Sequence, residues 1–360
     1  MKILHVISSL EIGGAQRLLS ELLPIIKIKG DITLLVLYDI DNELKNRIIS
    51  NSIKIINLNQ KKIYNPLIVL QLIKIIKEYD IIHVHLFPTL YWVGIASLFC
   101  SHKILLYTEH STFNKRRNHR CLLFFEKYIY SLYNIIISIS KQTQINLISW
   151  LQKEFEDPHF KIIENGINLN LYSKINNQTN NKNLIMISRF VDSKDQQTVI
   201  KAMPYIDNNI NLFFVGDGNT KDDCISLAKK LNVIHRIKFL GTRNDIPQLI
   251  QDSYIGIQSS NWEGFGLSAL EIMASKRPII ASNIHGLKEI VENAGLLFEK
   301  GNEKQLANHI NTLINDEAYY NKIANSCYNR AKIYSIENMA NRYYNLYEYL
   351  YKTKLITNNE

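Results

Sequence analysis

The stretch "EGFGLSALE", residues 263–271, sets two carboxylates, Glu263 and Glu271, eight positions apart around a turn containing Gly264 and Gly266. In one continuous helix, rising 1.5 Å per residue, the two would lie about 12 Å apart along the axis and do separate jobs. The glycines instead predict a tight turn after the run "YIGIQSS" (254–260), with a helix opening near Leu267 or Ser268. Glu263 then lies near the strand end and Glu271 about one turn into the helix. Amides left free at such a helix start can donate to phosphate oxygens or sugar hydroxyls. Arg189 and Lys194, in "SRFVDSKD" (188–195), add a planar fork and a point charge just after another predicted strand. Two fixed cations stabilise a leaving group that gains negative charge as its bond breaks, and they do so best in the transition state. Spacing alone leaves a solvated loop as the competing explanation.

The elements that must hold these residues follow from the apolar pattern. "KILHVI" (2–7), "ITLLVLY" (32–38), "DIIHVHL" (80–86), "KILLYTEH" (103–110) and "NIIISIS" (134–140) are strand-length runs separated by helical stretches. A second series, "NLIMISRF" (183–190), "INLFFVGDG" (210–218), "RIKFLGT" (236–242), "YIGIQSS" and "RPIIASN" (277–283), repeats the alternation. Continuous apolar strands alternating with helices predict parallel sheets covered on both faces, hence α/β with two doubly wound domains. The polar segment "SKINNQTNNKN" (173–183) between the two series reads as a linker. The expected division is a first domain over 1–170, a linker over 171–183, a second domain over 184–340, and a C-terminal helix over 341–360 returning toward the first domain. Aromatics spaced three and four apart in "NMANRYYNLYEYLYKT" (338–353) predict a buried helix face. Open parallel sheets bind ligands beyond their carboxyl ends, so the expected site is a cleft between the two.

Composition narrows the partners. The chain has 360 residues, 46% hydrophobic and 21% charged, a size that favours two cores over one. Its longest apolar runs fall far short of the roughly 20 residues that span a bilayer, and the N-terminal "MKILHVISSLEIGG" reads as a first core strand rather than a cleavable leader. Cys100, Cys121, Cys224 and Cys327 are scattered without a CxxC pair, which suits a reducing cytoplasm. The net charge of +9 calls for an anionic partner, but no nucleic-acid signature accompanies it, so nucleic acid is not expected. "DID" (39–41) has the form of a metal-holding DxD without a further carboxylate cluster, and no metal site is expected there. His83 and His85 alternate along one strand and share a face, as core or cleft-lining residues rather than a zinc pair. "NKRRNHRCLLFFEKYIYSLY" (114–133) joins basic residues to an aromatic helical stretch, suited equally to a peripheral contact with an anionic membrane and to an ordinary helix with a charged lead-in.

With "FFVGDG" and the block "FLGTRNDIPQLIQDSYIGIQSSNWEGFGLSALEIMASKRPIIASNIHGLKEIV" (239–291) added, the chain resembles the retaining glycosyltransferases of family 4. These have the GT-B architecture of two facing Rossmann-like domains. Looser matches in the first half are "GGAQR" (13–17), "DIIHVH" (80–85), "TEHS" (108–111), "SISK" (138–141) and "IENGIN" (163–168). The resemblance implies that Glu263 touches donor-sugar hydroxyls, Glu271 holds the nucleotide ribose, and Arg189 and Lys194 clamp the diphosphate without a metal. His110 corresponds to the family's active-site histidine. The implied catalytic set is Glu263, His110, Arg189 and Lys194. The implied donor-binding set adds Gly13, Gly14, Phe265, Gly266, Leu267 and Glu271. No cofactor is expected. Asp195, Asn168 and Lys288 depart from the family pattern at positions where glycine, aspartate and proline are usual.

The reaction this implies moves a hexosyl or N-acetylhexosaminyl group from a nucleotide-sugar, UDP by family frequency, to a hydroxyl of a glycan or polyprenyl-linked acceptor. Its setting would be bacterial capsule, O-antigen or lipopolysaccharide synthesis, in the cytoplasm or at the inner membrane face. Double displacement needs two carboxylates roughly 5 Å apart, which the placement of Glu263 and Glu271 does not offer, so front-face attack is expected. A nucleotide-sugar epimerase of the same architecture and a silent nucleotide-sugar-binding subunit are the rival readings.

Overall fold

The computed structural model describes residues 1–11, 13–100, 103–112, 114–172 and 182–357. They form two compact units, Met1–Gly166 with Ile336–Glu360, and Ile167–Ser335. The expected linker 171–183 falls largely on 173–181, outside the described residues. Residues 167–170 group with the second unit, and the return to the first begins at Ile336 rather than 341.

The first unit holds seven strands: β1 (Lys2–Ile7), β2 (Asp31–Val36), β3 (Lys54–Asn57), β4 (Ile81–His85), β5 (Ile104–Glu109), β6 (Ile135–Ser138) and β7 (Phe160–Ile162). They pair in the order β3-β2-β1-β4-β5-β6-β7, all parallel. Successive side chains of β1 point to opposite faces. Ile3 and Ile7 enter one core, Leu4 and Val6 the other. The helix Ile336–Thr357 covers the first of these faces with Met339, Tyr343 and Tyr347, which recur every four residues and are buried. That spacing is the predicted aromatic stripe, and it anchors the end of the chain to the unit where it began.

The second unit repeats the scheme with β8 (Leu184–Ile187), β9 (Leu212–Val215), β10 (Ile237–Phe239), β11 (Ile255–Gln258), β12 (Ile279–Ser282) and β13 (Leu296–Phe298), in the parallel order β10-β9-β8-β11-β12-β13. Three strands, β3, β7 and β13, were absent from the apolar runs read in the sequence.

In a parallel sheet every carboxyl end lies on the same edge. The loops after β1 and β5 therefore carry Gly13 and His110 on one edge of the first sheet, and those after β8 and β11 carry Arg189 and Glu263 on one edge of the second. Two glycines shape the latter loop. Gly266 has φ +87° just before the helix Leu267–Ala274, and Gly286 has φ +89° where a Cβ would lie 2.5 Å from the Glu263 carbonyl oxygen. Both conformations disfavour any residue with a Cβ.

Candidate active site

In the second unit two loops are laced together. The amide of Asn261 donates to the Ser193 carbonyl and its side chain to the Asp192 carbonyl, each at 2.8 Å. Asp195, the departure from the family pattern, caps the helix Gln196–Ala202 by accepting from the Thr198 amide, and its second oxygen accepts from Ser259 Oγ, both at 3.2 Å. Its carboxylate therefore ties the loop after β8 to the loop after β11. The result places Lys194 against Glu263 in an ion pair, each side chain 17% exposed. Glu263 Oε1 also accepts from the Gly264 amide at 3.1 Å. An ammonium has three donors, so a bond to Glu263 leaves two for an incoming anion.

Arg189 differs. Its carbonyl accepts from Gln196 Nε2 at 2.9 Å, which pins the backbone, while the residue is exposed and its guanidinium makes no ion pair among the described residues. The helix opens at Leu267, as the glycine pattern predicts, and its N-cap, Gly266, has no side chain with which to cap the first amides. Those amides have no intrahelical acceptor. Glu271 lies in the same helix, partly buried. Phe265 is 5% exposed, with its ring edge-on to Tyr334 at 5.7 Å, so its backbone rather than its ring is left to meet a ligand.

In the first unit Gly13 caps the helix Gly14–Lys27 in extended conformation (φ −162°), its carbonyl accepting from the Arg17 amide at 2.9 Å. Any residue adopts that backbone, and an added Cβ would meet only the flexible end of Gln16. Conformation therefore does not demand glycine at position 13. His110 follows β5, and its Nε2 lies 3.1 Å from His85 Nδ1. His85 Nε2 in turn lies 3.0 Å from His5 Nδ1. Burial drives the pKa of His110 down to about 4 and that of His5 to about 3, so these rings are neutral at pH 7. His83 stands beside the row, bonded to Tyr347 Oη and, at 2.7 Å, to Thr108 Oγ1. The sequence reading found His83 and His85 but passed over His5, which is the residue paired with His83 in the β1–β4 register. A lone histidine in an apolar strand was the available signal.

The basic segment 114–133 is partly inward-facing. Arg117 pairs with buried Glu109 at 2.9 Å, and Arg116 pairs with buried Glu126 at 2.8 Å while lying over the rings of Phe87 and Tyr91. Glu126 also accepts from Tyr91 Oη and, at 2.6 Å, from Trp150 Nε1. The helix Leu122–Ser131 leaves aromatics outside, with Phe124 80% and Tyr128 52% exposed. No helix among the described residues is long and apolar enough to cross a membrane. In the "DID" segment Asp39 is exposed and paired with Lys45 at 2.7 Å. All four cysteines are free.

Two family descriptions match in tandem, Glycosyltransferase Family 4 over residues 12–171 and Glycosyl transferases group 1 over residues 170–332. The chain belongs to glycosyltransferase family 4. Among its relatives are the uncharacterized glycosyltransferase MJ1607 of Methanocaldococcus jannaschii, 27% identical over 59% of each chain, and the UDP-Gal:alpha-D-GlcNAc-diphosphoundecaprenol alpha-1,3-galactosyltransferase of Escherichia coli, 26% identical over 72% of this chain and 73% of that protein. With the first of these the match thus spans under two thirds of the relative's length. The crystal structure of Anabaena Alr3699/HepE in complex with UDP and glucose shares the fold of this family 4 chain, with a TM-score of 0.83 and 24% identity over 97% of this chain and 99% of that one. The two parallel-sheet, Rossmann-like units are those of the GT-B class.

Proposed function

We propose that the chain is a retaining, metal-independent glycosyltransferase that moves a hexose or N-acetylhexosamine from UDP to a hydroxyl of a polyprenyl-diphosphate-linked glycan in bacterial surface polysaccharide synthesis. The observation that carries this reading is the Lys194–Glu263 pair, shortly ahead of the helix Leu267–Ala274 with its glycine N-cap, and Arg189 after β8 making no ion pair among the described residues. The UDP complex of Anabaena Alr3699/HepE and the lipid-diphosphate acceptor named for the Escherichia coli relative support the choice of donor and acceptor.

In this reading Glu271 holds the ribose, and Arg189, Lys194 and the Leu267 amide receive the diphosphate. Glu263 orients sugar hydroxyls while restraining the lysine, and His110 meets the sugar from its own loop, with Gly13 and Gly14 supplying backbone toward the donor. The bond from the anomeric carbon to the β-phosphate oxygen breaks, and the acceptor oxygen bonds to the same face of that carbon. The acceptor's proton passes to the departing phosphate oxygen, and UDP leaves. Charge grows on the diphosphate as the bond breaks, where fixed cations count most. Product analysis by NMR should show transfer with the donor's anomeric configuration kept. An inverted product, a sugar covalently trapped on Glu263, or a rearranged sugar with no acceptor used would contradict it.

A lipid-linked acceptor requires access to a membrane surface. Phe124 and Tyr128 supply the apolar contact in this reading, in place of the inward-turned Arg116 and Arg117. Burying one such ring contributes about 1.5–3 kcal/mol. Phe124→Ser with Tyr128→Ser should therefore weaken co-sedimentation with vesicles of mixed neutral and anionic lipid by about tenfold or more. Unchanged sedimentation would remove this helix from the membrane contact.

A further inference from the structure

The row His5–His85–His110 is not accounted for by donor binding alone. Its outer member is the histidine assigned above to the donor sugar, but its inner members lie 0% and 1% exposed between β1, β4 and the C-terminal helix. Three neutral imidazoles joined by two hydrogen bonds have two ways to order their protons. In one, every ring donates inward: His110 Nε2 to His85, His85 Nε2 to His5. The other reverses both bonds, so that His5 Nδ1 donates to His85, His85 Nδ1 donates to His110 Nε2, and the remaining proton of His110 sits on Nδ1.

The end of the row distinguishes them. His5 Nε2 is buried and has no hydrogen-bond partner among the described residues. Inward order would put an N–H on that nitrogen, whereas outward order leaves it a bare lone pair. Among buried backbone groups an orphaned N–H is rarer than an under-satisfied acceptor, and the same ranking favours the outward order here. His83 does not relieve either state, because both of its nitrogens face hydroxyls, those of Tyr347 and Thr108. Depressed basicity throughout the row agrees with neutral rings.

We propose that His5 and His85 are positioning residues that hold the His110 proton on Nδ1, so that His110 presents an N–H donor, not a lone pair, to a donor-sugar oxygen. This rests on the reading that His110 meets the donor sugar. A metal is the competing use of the cluster, since one nitrogen each of His5, His83 and His85 lie within 4.8 Å of one another. The structure assigns the space between His5 and His85 to a shared proton instead, because their nitrogens face each other at hydrogen-bond distance.

The test is a long-range proton–nitrogen NMR spectrum of histidine-labelled full-length protein at pH 7, with the His110 signals assigned by their loss in His110→Asn. The proton is expected on His110 Nδ1 in the wild type. In His85→Phe it should move toward Nε2, with kcat falling about tenfold and donor KM changing less than about twofold, since one oriented hydrogen bond is lost. A His110 proton on Nε2 in the wild type, an unaltered tautomer or kcat in His85→Phe, or one equivalent of zinc bound by the wild type and lost in His5→Phe would each overturn the proposal. Should His85→Phe fail to fold, the wild-type spectrum still decides the order of the row. Full transfer activity in His110→Asn would instead remove His110 from the donor reading and leave the tautomer result standing, so the two failures separate.

Discussion

Arg189→Ala should lower the rate of sugar transfer by about 10²- to 10³-fold, with the melting temperature unchanged. The magnitude follows from the loss of one fixed group aimed at charge that develops in the transition state. Stability should be unaffected because the Arg189 guanidinium makes no ion pair among the described residues and is exposed, while its backbone is held by Gln196. Arg189→Lys should recover only part of the loss, since a point charge replaces a two-pronged fork. Lys194→Ala is the instructive contrast. It removes a cation and also leaves Glu263 without its partner, so its effect mixes charge stabilisation with reorganisation of the sugar contact. Steady-state kinetics with a UDP-sugar decides the matter. A loss in Arg189→Ala below about fivefold would mean that the diphosphate does not rest on this arginine, given that one such donor usually supplies about 3–4 kcal/mol.

Glu126→Ala should destabilise the first unit by roughly 3–5 kcal/mol, the usual consequence of removing one partner from a buried ion pair. The carboxylate is 1% exposed, forms an ion pair with Arg116, and accepts hydrogen bonds from Tyr91 Oη and Trp150 Nε1. Its removal leaves an arginine charge, a hydroxyl and an indole N–H without their acceptor in the interior. Glu126→Gln should lose less, because one amide oxygen still accepts. Denaturant titration with tryptophan fluorescence reads this directly, as Trp150 is itself a partner. A change under about 1 kcal/mol would show that the cluster relaxes to water, as exposed ion pairs do.

Most of the architecture was legible because the central strands are continuous apolar runs, each buried on both faces. Lys2–Ile7 and Ile104–Glu109 leave only Lys2 outside, the pattern of strands in a parallel sheet covered on both faces. The strands missed, β3, β7 and β13, all lie at sheet edges, where one side lacks a neighbour. They are three or four residues long and only partly buried, too short for an apolar run to rise above its surroundings. The turn at 263–267 was readable from Gly264 and Gly266, since a left-handed residue before a helix requires a particular residue type. What motif spacing did not show was pairing across loops. The Lys194–Glu263 contact sits where hydrogen bonds from Asn261 to the Asp192 carbonyl and from Ser259 to the Asp195 carboxylate join segments over sixty residues apart. Arg116 and Arg117 illustrate the same limit. The basic run suits a membrane surface and a charged helix lead-in equally on sequence grounds, whereas two buried glutamates on other elements draw Arg116 and Arg117 inward. His5 was overlooked because its partner, His85, lies on the neighbouring strand and only tertiary pairing brings the two together.

In the proposed reading the loops after β8 and β11 bind a uridine diphosphate group by side-chain cations and helix-start amides. Calorimetric titration of the full-length protein with UDP, with and without EDTA, tests it most directly when repeated on Arg189→Ala and Glu271→Ala. Saturable binding that the chelator leaves unchanged and that both variants lose is the expected result. Binding that needs a divalent metal, or that persists undiminished in both variants, would contradict it.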